Sequence, residues 1–435
     1  MLERRELMTA DLSVCTSAAL LASHVYGQDN ADQLTTVGGY FISAASLNHA
    51  TPLAPSALVS NPTNTPPAIQ PVGSTNSDLA WCNANLHDVV LRSLVIQDVR
   101  DGVVDRTEML ALFSQVRRDG TVSANEFSDL KQVVGKSTFF AGKDYVDDLA
   151  EDVVLGNTAN ARYQGTALGN LQAGSSAAQL DKLVQKWFYG ADHPTAMAGT
   201  TYVKAAGSLF PHAPVYSDVR QGMLGDCYFL ASMGEAALIN PSSITSMFIA
   251  NGDSTYTVRF EHDGKAEYVT VDSMLPVDRQ GNFVYTDFGQ SAANKNVPLW
   301  TALAEKAYAQ MNESGWLRAD LGDHGHNTYA ALGGGYMFDA LSQITGKSAT
   351  YSIVDTQSFV TAFTSGKLIT FGSVSSPIDK SVVGNHAYAV VGYDRNTNQV
   401  TLFNPWGINN GAAPGLVSLN WNQMKQDFFT MQYTV

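Results

Sequence analysis

The chain has 435 residues, 45% of them apolar, so it can fill about two to three domain-sized cores. Asp, Glu, Lys and Arg make up only 15%, and the formal net charge is −14. An acidic chain whose longest basic runs are Arg4-Arg5 and Arg117-Arg118 is repelled by nucleic acid and by anionic membranes, which excludes both as expected partners.

The first six residues carry both charge signs and lead into no Sec-type apolar stretch, and no run approaches the ~18 consecutive apolar residues of a membrane span. The expected location is therefore the cytoplasm, or outside the cell by a non-Sec route. A weak helical pattern around residues 10–22 is followed by residues 51–78, which carry six of the fifteen prolines with Ser, Thr and Asn between them. Such a segment buries too little apolar surface to offset its ordering entropy, so residues 1–83 are expected to be a tail and linker, a candidate pro-segment.

Residues 84–195 are predicted to be a small helical domain. Leu91, Leu94 and Val95 share a face, Met109, Leu110, Leu112 and Phe113 form another cluster, and Ser175-Ser176 precede an apolar face of Leu180, Leu183, Val184, Trp187 and Phe188. A short pattern recurs here. Asp101-Gly102-Val103-Val104 leads to Glu108, and Asp119-Gly120-Thr121-Val122 leads to Glu126. A glycine with Glu six residues later is the second half of an EF-hand loop. The first half is degenerate, with Gln97, Val99, Gln115 and Arg117 where acids belong. The expectation is EF-like turns that no longer bind calcium, with a weak site at Asp101, Asp105 and Glu108 as the lesser alternative.

Residues 200–335 are predicted to mix helices with turns, and residues 336–435 to be mainly strands, at 367–374, 386–393, Gln399–Phe403 and 429–435. Gly333, Gly334 and Gly335 are the expected boundary and hinge between these halves.

Three cysteines, Cys15, Cys82 and Cys227, are too few for a disulfide framework. Cys227 follows Gly225-Asp226 and opens an apolar run that ends at Asn240-Pro241. A cysteine in the first turn of a buried helix sits at the positive end of the helix dipole, which favours the nucleophilic thiolate. Gln221, six residues earlier, can donate to an oxyanion together with the Cys227 amide. His386 opens a predicted strand, and Asn404-Pro405-Trp406-Gly407 follows the next one. Asn404 can accept the Nδ1–H of His386, leaving Nε2 toward the sulfur, while Trp406 shields the pair. Asp323-His324-Gly325-His326 is expected to be a loop, not a metal site.

From about residue 210 the chain resembles the calpain cysteine protease family, whose core is papain-like. The resemblance rests on Gln221 with Gly225-Asp226-Cys227, on Trp300 with the stretch from Leu303 to Ala309, on Gly333-Gly334, on Asn385-His386-Ala387-Tyr388 and on Asn404-Pro405-Trp406-Gly407. It departs from the family at Asn385, where glycine is usual, and at Tyr228, where tryptophan is usual. The resemblance implies an α+β fold. A helical subdomain (200–335) carries the cysteine, a β-rich subdomain (336–435) carries His and Asn, and a cleft lies between them. It implies cysteine-type endopeptidase activity on protein substrates and a candidate calcium cofactor, with Asp218 and Glu305 as tentative ligands. The alternatives are a catalytically silent calpain-like scaffold and a transglutaminase-like acyl transferase; the latter family typically has Asp in the place of Asn404.

Overall fold

The computed structural model describes residues 76–100, 102–140, 144–315, 325–409 and 412–435. The tail and linker up to residue 75, with Cys15, lie outside the described residues, as do Asp101 and His324.

Among the described residues six helices come first: α1 (Asn76–Asn85), α2 (Val89–Asp98), α3 (Arg106–Val116), α4 (Ala124–Val134), α5 (Tyr145–Val154) and, after the hairpin β1 (Arg162–Tyr163) and β2 (Thr166–Ala167), α6 (Ala177–Trp187). Their apolar faces build a core of their own, including Leu91, Val95, Met109, Phe113, Leu183 and Phe188, with the free Cys82 buried in it. Ser176 caps α6 by accepting from Gln179 N.

The glutamates of the repeated Gly…Glu pattern have a local structural role. Asp105 and Glu108 form a reciprocal capping box that opens α3, and Ser123 with Glu126 does the same for α4. A glutamate at the third helical position receives the N-cap amide and so satisfies a donor that the helix start leaves over. Glu108 and Asp105 are thereby occupied with backbone amides 2.8 and 2.9 Å away.

The second part begins with β3 (Thr201–Lys204) and α7 (Cys227–Ile239), followed by α8 (Pro241–Thr245). Strands β4 (Phe248–Ala250), β5 (Thr255–His262) and β6 (Lys265–Asp272) then form an antiparallel sheet. Strand β7 (Met274–Val277) pairs with β3. This region was expected to mix helices with turns. Val258 and Phe260 are buried on either side of the half-exposed Arg259, the period-2 signature of a strand, while Val269, Thr270 and Val271 are buried in succession, so both faces of β6 are covered there. Helices α9 (Trp300–Met311) and α10 (Met337–Thr345) complete this half.

The last hundred residues give β8 (Ala349–Ser352), α11 (Thr356–Thr364), β9 (Ile369–Ser373), β10 (Ala387–Asp394), β11 (Gln399–Phe403), β12 (Leu416–Asn420), α12 (Trp421–Asp427) and β13 (Phe428–Thr434). Six of these are strands of one antiparallel sheet in the order β12-β11-β10-β9-β13-β8. The fold is α+β, consistent with a papain-like core that follows a helical unit. Among the described residues no helix is long and apolar enough to cross a membrane.

Helix α7 ties the two halves together. It is apolar all round, as a fully buried helix must be. Phe229 stacks on Tyr308 of α9 at 4.3 Å, and Ala387, Ala389 and Phe403 of the sheet share its core. Its one carboxyl, Glu235, is 1% exposed, and Oε1 accepts from Ile369 N of β9 at 2.9 Å. Burial drives this carboxyl well above the usual carboxylate range, against the opposing pull of backbone donors at Ile369 and Val390.

Candidate active site

Cys227 is the first residue of α7 and is fully buried. The approach to it is tight: a Cβ on Gly222 would lie 2.3 Å from Tyr285 O. Asp226 takes the N-cap position without a side-chain cap, and its carbonyl accepts from Phe229 N and Leu230 N. Amide donors at this helix start surround the sulfur with positive potential. Cys227 Sγ also receives Ala387 N from the opposite half at 3.4 Å.

Ala387 follows His386, so this contact brings the sulfur to the histidine's end of β10. His386 is 1% exposed, and its backbone is held by Ser373: His386 N donates to Ser373 Oγ at 2.9 Å, and Ser373 N donates back to His386 O at 2.9 Å. Asn385, just before it, has φ +49°, a left-handed conformation that Asn tolerates better than most residues with a Cβ. That is why Asn can stand where the family usually has glycine.

His386 Nε2 lies 2.8 Å from Asn404 Oδ1. Trp406 N donates to the same Oδ1 at 3.0 Å, which fits its assignment as the amide oxygen. Nε2 must then carry the proton, while Nδ1 is buried with no hydrogen-bond partner. This corrects the expected assignment, in which Nδ1 faced the asparagine and Nε2 the sulfur. The reason is geometric. Nδ1 is the ring nitrogen nearer the main chain, and the sulfur sits against the main chain at Ala387. Asn404 lies beyond the ring and is reached by the far nitrogen. Burial pulls the imidazole down to about 4, against the opposing effect of the Asn404 hydrogen bond. The Trp406 ring, centred 5.2 Å from that of His386, covers one side, and the Tyr388 ring meets it edge-on at 5.2 Å.

Gln221 is also buried, and its backbone N–H donates to Pro405 O at 2.8 Å, linking the cysteine half to the asparagine turn. Its side-chain Nε2, expected to face an oxyanion, instead donates to Leu224 O at 2.8 Å and Asp226 Oδ1 at 3.2 Å.

The glycine run expected to be a hinge lies against the helix that begins at Cys227. Gly334 N donates to Gly225 O at 2.9 Å, Tyr228 Oη donates to Leu332 O at 3.2 Å, and a Cβ on Gly335 would stand 2.5 Å from the Tyr228 ring. Glycine serves here for close approach as well as for flexibility.

The tentative calcium ligands each accept hydrogen bonds from protein donors. Asp218 Oδ2 accepts from Trp300 Nε1 at 2.9 Å and Val215 N at 3.1 Å, with His212 Nε2 3.6 Å from its other oxygen. Glu305 is 1% exposed and accepts from Thr286 N at 3.0 Å. Burial first, and the Asp226 carboxyl next, push Glu305 well above the usual carboxylate range. A cation site needs carboxylate oxygens open toward one point. Glu305 Oε1 is buried without a hydrogen-bond partner, while Asp218 Oδ2 is held by two donors. Sequence reasoning also missed Ser373 and the Asp226–Glu305 pair, whose residues become neighbours only through long-range packing.

A model of the calpain family cysteine proteases matches residues 201–428. Among similar proteins, the calpain-type cysteine protease DEK1 of Zea mays is 32% identical over 168 residues, 38% of this chain and 7% of that protein. Calpain-13 of Rattus norvegicus is 31% identical over 216 residues, 44% of this chain and 29% of the relative. The calpain-1 catalytic subunit of Sus scrofa is 28% identical over 222 residues, again 44% of this chain and 27% of the relative. The chain thus spans less than a third of each of these proteins.

Proposed function

The chain belongs to the calpain family of cysteine proteases, and we propose that it is an endopeptidase working through Cys227, His386 and Asn404. The observation that carries this reading is the contact of Ala387 N with Cys227 Sγ, because it joins the helix start of one half to the histidine strand of the other.

In this mechanism Cys227 works in its reduced form: His386 Nδ1 takes the proton of the thiol, and the thiolate attacks the carbonyl carbon of an internal peptide bond. The carbonyl oxygen becomes an oxyanion that the Cys227 amide and the Gln221 side chain stabilise, once Gln221 leaves Leu224 and Asp226. Collapse breaks the C–N bond as His386 Nδ1–H protonates the departing amine. Water then attacks the thioester, gives a proton to Nδ1 and releases the acid, and the thiol is restored. Throughout, Asn404 holds Nε2–H and so keeps Nδ1 as the working nitrogen. Because Cys227 is buried, substrate entry requires local opening beside it. No step runs through calcium at Asp218 or Glu305.

Labelling with an epoxide that targets thiol proteases tests this reading. Peptide mapping is expected to find the adduct on Cys227, formed faster than on Cys15 or Cys82. Equal rates at the three cysteines would instead favour the silent-scaffold alternative.

A further inference from the structure

Away from the candidate active site, three carboxylates meet where the helical unit rests on the protease core. Asp148 and Asp152 of α5 and Glu267 of β6 each offer an oxygen within 4.8 Å of the others. The two aspartates are four residues apart on a helix and so share one face. The elements belong to different hydrophobic cores. Asp148 Oδ2 already accepts Tyr268 N of β6 at 3.0 Å.

The hydrogen bonding around the group is incomplete. Asp152 is 7% exposed, and while Oδ1 accepts from Asn157 Nδ2 at 2.6 Å, Oδ2 is buried with no partner. Glu267 is equally buried, and the cation facing it is Lys265 Nζ at 3.5 Å from Oε2, on a side chain that is 64% exposed. Glu151 adds a further negative charge nearby. A buried carboxylate oxygen with no donor, crowded by like charges, costs free energy, and the cation facing the group, Lys265, sits on a mostly exposed side chain.

We propose that Asp148, Asp152 and Glu267 bind a calcium ion that clamps the helical unit onto the protease core. An all-carboxylate donor set selects a hard cation. Oxygens up to 4.8 Å apart can lie on opposite sides of an ion with metal–oxygen distances of about 2.4 Å, the calcium range. Magnesium demands shorter contacts, about 2.0–2.1 Å, in a stricter octahedron. The site is distinct from Asp218 and Glu305, and its occupancy stabilises the contact between the two cores whether or not the protease is active.

The test uses the full-length protein freed of metal, titrated with CaCl2 or MgCl2 and followed by calorimetry and thermal unfolding. Wild type is expected to bind one calcium here and to unfold about 2–4 °C higher or more at saturation. Asp152→Asn and Glu267→Gln should abolish that shift and, without metal, unfold at or above the wild-type temperature, because one repelling charge is gone. Asp218→Asn should keep the shift. The proposal is overturned if calcium up to millimolar concentration produces neither heat nor shift, if both carboxamide variants respond like wild type, or if magnesium acts and calcium does not. Terbium luminescence on the wild-type chain needs no variant: emission sensitised by Tyr268 and quenched by CaCl2 supports the site, and absence of emission contradicts it.

Discussion

His386 and Asn404 meet through Nε2 and Oδ1 at 2.8 Å, which leaves Nδ1 as the ring nitrogen without a hydrogen bond. In Asn404→Ala the buried Nε2–H loses its acceptor, a cost of about 1–3 kcal/mol in stability. The imidazole also loses its fixed tautomer, and kcat/KM for a peptide substrate should fall by about two orders of magnitude or more. Asn404→Asp should keep the geometry but place a carboxylate beside the ring. It would raise the histidine pKa and move the acid limb of the pH–rate profile upward. An unmoved limb in a folded Asn404→Asp enzyme would show that Asn404 does not act on His386.

Glu235 links α7 to the sheet as a buried carboxyl. Its folded pKa lies above the unfolded value, so its contribution to stability is complete below about pH 4.5 and is lost as pH rises toward the folded pKa. Glu235→Gln cannot ionise. Relative to wild type, the variant should therefore gain stability between pH 5 and pH 8, by an amount that urea unfolding at several pH values measures. A constant difference across that window would rule out a raised pKa at this site.

Gly335→Ala would put a methyl 2.5 Å from the Tyr228 ring, next to Cys227. Overpacking of this kind costs about 1–3 kcal/mol. Combined with Tyr228→Leu, which removes the ring, the loss should be less than additive. Additive losses in denaturant titrations would mean that the two residues do not share space.

The capping boxes make a separate prediction. Ser123→Ala should cost about 1 kcal/mol. Glu126→Gln should be nearly neutral, since an amide oxygen can still accept from Ser123 N, now 2.8 Å from the carboxylate. If Glu126 were a calcium ligand, the Gln variant would instead lose a calcium-dependent stabilisation, which thermal unfolding with and without chelator would reveal.

Parts of this architecture are legible in the sequence because they are local. The cysteine at the head of an apolar run, the histidine opening a β-branched strand and Asn-Pro-Trp-Gly after the next strand each announce their own backbone. Gln399–Phe403 falls where the alternation puts it. What depends on distant packing is not legible. The choice of imidazole nitrogen follows from where the sulfur lies relative to β10, and the engagement of the Gln221 amide from the Asp226 side chain. The Gly…Glu repeat is ambiguous along the chain because a glutamate six residues past a glycine also occupies the third position of a capped helix. Strands β4 to β6 went unread although Val258 and Phe260 alternate inward, because the half-exposed positions of β5 carry Tyr256, Arg259 and Glu261, which suit several local structures. Nothing along the chain links Asp152 to Glu267, which come together only when β6 packs on α5.

The most direct test of the enzymatic reading is a casein digest with equal amounts of folded wild-type and Cys227→Ala protein, with new N-termini mapped. The account predicts cleavage at internal peptide bonds by wild type and none by the variant. Cleavage by Cys227→Ala at the wild-type rate would contradict it.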